Sequence, residues 1–77
     1  MGEQWPSMTG RQMDKILRRI CGAPRRQSGS HRMFVSLTGD TFTFAVHDRK
    51  TIPGGLVRRI LVEDVGLHPD QARKEAR

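Results

Sequence analysis

Apolar residues in this chain fall into four groups, and the spacing within each group names an element. Met13, Ile16, Leu17 and Ile20 recur at i, i+3, i+4 and i+7, which is one face of a helix. Thr9 and Gln12 stand ahead of them at the spacing of a capping box. In that motif the threonine hydroxyl accepts the N3 amide and the glutamine reaches back. Gly22 suits the C′ position and Pro24 keeps the helix from continuing. Arg25-Arg26-Gln27-Ser28 reads as a short polar edge strand. Met33, Val35 and Leu37 then alternate with Phe34 and Ser36, and Phe42, Phe44 and Val46 alternate with Thr43 and Ala45, giving two strands of period two. Ile52-Pro53 opens a second helix whose buried stripe is Leu56, Val57, Ile60, Leu61 and Val65, with Gly66 and Leu67 as its stop.

The pattern also sets an expected register. With Gly39-Asp40 as a two-residue turn of type II′, Met33, Val35 and Leu37 stand opposite Val46, Phe44 and Phe42 on the face that the helices cover. Asp48 then lies opposite His31. Residues 1–8 show no periodicity and read as a flexible lead-in, and residues 9–77 as a single domain. The tail from His68 to Arg77 reads as one or two fraying helical turns. The order helix, three strands, helix predicts an α+β domain with both helices on one face of a three-stranded antiparallel sheet.

Charge narrows the choice of partner. Fourteen Lys and Arg against eight Asp and Glu leave a net charge of +6, a surplus that draws RNA, DNA or an acidic protein. A merely soluble basic domain has the same composition. No apolar run approaches the length that spans a bilayer, and the polar stretch Gly2 to Ser7 is no secretory core, so no membrane association is expected. A lone Cys21 allows no internal disulfide and suits a reducing cytosol.

Few residues carry candidate chemistry. Ser30 and His31 are neighbours on a strand and point to opposite faces, which argues against a nucleophilic pair. His31, His47, His68 and Cys21 show no ligand spacing, so neither a metal nor another cofactor is expected. His31 is the leading proton carrier, since imidazole titrates near neutrality without special tuning. Asp48 across the hairpin would orient it, and His47 is a second proton-transfer candidate. The same register puts His31 in phase with Met33 and Val35, on the covered face. The pattern therefore leaves three readings open: a strand end that projects beyond the helices, a bulge at Gly29-Ser30, or a partly buried structural histidine.

The ordered set of features resembles the HicA family of toxin ribonucleases, the YcfA-like proteins of type II toxin–antitoxin pairs. It comprises a basic amphipathic helix ending in Gly22, then Gly29-Ser30-His31 at the head of an apolar strand, and Val46-His47 closing the next. Ile52-Pro53-Gly54-Gly55-Leu56 follows, with Arg58-Arg59-Ile60-Leu61 and Val65-Gly66-Leu67. The resemblance implies a fold like a double-stranded RNA-binding domain, and metal-independent cleavage of messenger RNA that arrests growth. It also implies a HicB-type antitoxin as partner and a prokaryotic cytoplasm. It places the catalytic histidine at His31. Arg25, Arg26, Arg32 and Lys50 are the phosphate contacts expected with it. The competing reading is a non-catalytic RNA-binding module of the same fold, in which RNA binding survives loss of His31; a third is an adaptor for an acidic protein.

Overall fold

A computed structural model describes residues 4–77. Thr9 caps α1 (Gly10–Cys21) through the expected box: its Oγ1 accepts the Gln12 amide at 3.2 Å, and its own amide donates to Gln12 Oε1 at 2.9 Å. Met13, Ile16 and Leu17 are buried, Ile20 half-buried, and Gly22 ends the helix at φ 82°. Three strands follow, β2 (Arg26–Ser28), β3 (His31–Val35) and β4 (Thr41–Ala45), in the antiparallel order β2-β3-β4. A separate two-stranded ribbon joins β1 (Met8–Thr9) to β5 (Thr51–Ile52). The second helix starts as α2 (Gly54–Arg59), with Pro53 as its N-cap. It widens into one π-helical stretch (Ile60–Asp64), and the Leu67 amide closes on the Leu61 carbonyl at 3.0 Å past Gly66. The architecture is the expected α+β domain, with a third helix added.

That third helix, α3 (Pro69–Glu75), lies in the segment expected to fray. Ala72 and Ala76 are buried in the core, and Arg19 ties α1 to it through Glu75 at 2.6 Å. Small apolar side chains let α3 pack closely, a contact that a polar composition hides. Within the expected lead-in, Met8 is buried and pairs with Ile52. The Arg73 guanidinium lies 5.6 Å from the centre of the Trp5 ring; residues 1–3 fall outside the described part.

The register of the β3–β4 hairpin differs from expectation, and the difference decides where the site lies. Phe34 pairs with Phe42, Arg32 with Phe44, and His31 with Ala45. The connection is a three-residue loop, not Gly39-Asp40 alone. The Gly39 amide donates to the Ser36 carbonyl at 3.1 Å, Gly39 takes φ 94°, and the Ser36 amide donates to the Asp40 carbonyl at 2.6 Å. This is a type I turn followed by a glycine bulge. The buried Ser36 hydroxyl supports it, accepting the Thr38 and Asp40 amides at 3.3 and 3.2 Å. Against the expected pairing the shift is three residues, and an odd shift exchanges the faces of one strand relative to the other. Met33 and Val35 consequently leave the covered face and Leu37 sits in the loop, 56% exposed. Phe34, 0% exposed, takes their place, stacked on Phe42 with ring centres 5.8 Å apart. All three phenylalanines lie on the helix side, where Met13, Leu17, Val57 and Leu61 close the core.

Candidate active site

The register that buries Phe34 turns His31 outward. Side chains alternate along a strand, so His31 and Met33 lie on the face opposite Phe34. His31 is exposed. Its position is fixed by a tight hairpin: Ser28 pairs with His31 across the two-residue turn Gly29-Ser30, with Gly29 at φ 58°. A left-handed glycine in the first turn position is the type II′ signature. The bulge considered at Gly29-Ser30 is thus a turn, and His31 is the first residue after it.

A shallow groove of about 220 Å³ surrounds the imidazole, lined by Arg26, Ser28, His31, Met33 and Thr43. Ser28 stands directly across from His31, and Arg26 is its diagonal neighbour through the Arg26–Met33 pair. Diagonal side chains on one face lie about 7–8 Å apart at their bases, within reach of an arginine. The structure therefore brings His31 and Arg26 together. Arg25 is exposed just before β2, its amide donating to the Met33 carbonyl at 2.8 Å.

The other expected site residues are placed differently. Ala45, not Asp48, stands opposite His31, so the expected carboxylate–imidazole pair does not form. The three-residue shift carries Asp48 beyond the end of β4, where its carbonyl accepts the Arg11 amide at 3.4 Å. His47 and Lys50 line a different hollow, of about 200 Å³, beside Gly10 and Pro53. Arg32 is half-buried on the helix side of the sheet, and its Nη1 donates to the Gly29 carbonyl at 2.6 Å. That bond clamps the turn from the face opposite His31. Sequence reasoning missed Ser28 and Thr43 as groove residues. Reading Ser28-Gly29-Ser30-His31 as a II′ hairpin would have found Ser28.

The remaining titratable groups lie elsewhere. Burial pushes the Cys21 thiol above its ordinary value, which suppresses the thiolate that a nucleophile needs. Arg18 and Arg19 on α1 are already engaged by the carboxylates of Asp14 and Glu75, at 3.0 and 2.6 Å.

An antiparallel sheet backed by two helices, with a histidine and an arginine in one open groove, defines a small basic α+β domain. A family model described as the HicA toxin of bacterial toxin–antitoxin systems matches residues 10–67, about three-quarters of the chain, and the protein belongs to that family. No curated protein and no solved structure matches it. Membership identifies the chain as a HicA-type toxin, a class that has an antitoxin as its partner. No helix among the described residues is long and apolar enough to cross a membrane.

Proposed function

We propose that this toxin is an endoribonuclease that cleaves messenger RNA without a metal and arrests growth. It acts in the cytoplasm of a prokaryote, under the control of a HicB-type antitoxin. The observation that carries the reading is His31 on the open face of the sheet with Arg26 in the same groove. In such a reaction the RNA supplies its own nucleophile. The 2′-hydroxyl attacks the adjacent phosphorus, the bond to the 5′-oxygen breaks, and the products are a cyclic phosphate and a 5′-hydroxyl. One proton must leave the 2′-oxygen and one must reach the departing 5′-oxygen. His31 transfers one of these; a water or another side chain transfers the other. Arg26 stabilises charge on the phosphorane, and Arg25, exposed just before β2, holds a flanking phosphate.

Replacing His31 with alanine separates this reading from simple RNA binding. General acid–base catalysis typically contributes about 10²–10⁴-fold, so cleavage by His31→Ala should fall by that factor while RNA binding persists. Because the ring is exposed, thermal unfolding should change by no more than about 0.5 kcal/mol. Wild-type cleavage should continue in excess EDTA. Undiminished cleavage by the variant would remove His31 from the chemistry. An intact wild-type chain that binds RNA and never cuts it would leave a binding module.

A further inference from the structure

The sheet has two edges, and they are built differently. β2 carries Arg26 within it and Arg25 just before it, and charge on an edge strand discourages the addition of another strand. β4 reads Thr-Phe-Thr-Phe-Ala, with neither charge nor proline. Its ladder to β3 runs through even-numbered residues. The Val46 amide donates to the Ser30 carbonyl at 2.8 Å and the Ser36 amide to the Asp40 carbonyl at 2.6 Å, in the same register as Arg32–Phe44 and Phe34–Phe42. Backbone groups in an antiparallel pair alternate between facing the partner and facing away. The amides and carbonyls of Thr41, Thr43 and Ala45 therefore point outward, along the edge where the sheet order ends.

Two hollows flank that edge on its helix side. One, of about 280 Å³, is lined by Phe42, Phe44, Leu56, Ile60 and Asp64. The other is the hollow of about 200 Å³ that holds His47 and Lys50. Leu56, 44% exposed, stands between them and lines both. We propose that the β4 edge receives an extended segment of an acidic partner protein, which adds as a fourth antiparallel strand. This rests on the chain's being a toxin with an antitoxin partner, and it names the surface and the chemistry by which that partner is held.

Geometry fixes the pattern of the incoming segment. Residues paired with Phe42 and Phe44 face the helix side, so two apolar side chains two positions apart enter the hollows on either side of Leu56. The residues between them lie on the open face beside Thr43 and Ala45, one strand beyond the His31 groove. A net charge of +6 favours acidic residues there. It also disfavours a second copy of this chain, which would bring two such charges together.

A blocked peptide alternating glutamate and isoleucine, Glu-Ile-Glu-Ile-Glu, tests the proposal on the isotopically labelled full chain. Binding should shift the Phe42–Ala45 and Leu56 resonances and slow hydrogen exchange at the Thr41, Thr43 and Ala45 amides. Thr43→Pro deletes an outward donor without touching the ladder to β3, a place where an edge strand tolerates proline. Leu56→Lys places a charge between the hollows. Each should weaken binding at least about tenfold in a chain that keeps its dispersed spectrum, while Thr43→Val retains it. A peptide with lysine in place of glutamate should bind more weakly. The proposal falls if the shifts gather around Arg26 and His31, if neither Thr43→Pro nor Leu56→Lys weakens binding, or if millimolar peptide produces no shift. It falls also if the free chain dimerises through β4, with Thr43→Pro abolishing the dimer, because the occupant is then a second copy. His31→Ala should leave peptide binding unchanged, so docking and cleavage stand or fall separately.

Discussion

Replacing Phe34 and Met33 by alanine, one at a time, tests the hairpin register and with it the outward placement of His31. Phe34 is fully buried and stacks on Phe42, whereas its neighbour Met33 is half-buried on the open face. Truncating a buried phenylalanine costs about 3–5 kcal/mol, because the lost transfer energy is joined by the cavity left behind. Met33 has no helix layer above it, so its side chain can be lost for about 1 kcal/mol. A domain of this length has a total stability of roughly 4–12 kcal/mol, so Phe34→Ala removes a large part of it. At about 4–8 °C per kcal/mol, the midpoint should fall by at least about 12 °C for Phe34→Ala and by under about 8 °C for Met33→Ala. Urea and thermal melts of the three proteins, followed by circular dichroism, give both values. The expected pairing from sequence reverses the order, since it buries Met33 and exposes Phe34. Equal losses, or a larger loss at Met33, would refute the observed register and return His31 to the covered face.

Three further outcomes follow from the turn and the groove. Ser36→Ala leaves the Thr38 and Asp40 amides without their hydroxyl acceptor and should cost about 1–3 kcal/mol by denaturant unfolding; an unchanged midpoint would mean the hydroxyl does not support the loop. Arg26→Ala should reduce the slope of log affinity for RNA against log salt by about 0.7–0.9, as for one lost phosphate contact. Arg32→Ala should leave that slope unchanged, since Arg32 binds the Gly29 carbonyl on the opposite side of the sheet; a slope that falls with Arg32→Ala instead would place the RNA on the helix side.

Much of this molecule is local and therefore legible in one dimension. The Thr9–Gln12 box, the apolar stripe of α1, the Gly22 stop and the stop after Val65 involve groups within a few residues of each other, so spacing alone specifies them. The resemblance that points to His31 is also a property of order along the chain. The hairpin register is different. Both Met33/Val35 and Phe34 alternate correctly for a strand, so the pattern supports either face, and the choice depends on the length of one loop. The side chain of Ser36 and the left-handed Gly39 decide it in favour of three residues, by satisfying amides that a two-residue turn would arrange otherwise. Burial of all three phenylalanines against α1 and α2 rewards the same choice. That single decision moved His31 into the open, separated it from Asp48 and placed Arg32 beneath the sheet. The helix at residues 69–75 was legible as helical turns, but its docking was not, for a related reason: two alanines suffice to bury it, and small residues carry little hydrophobic signal until a surface is there to receive them.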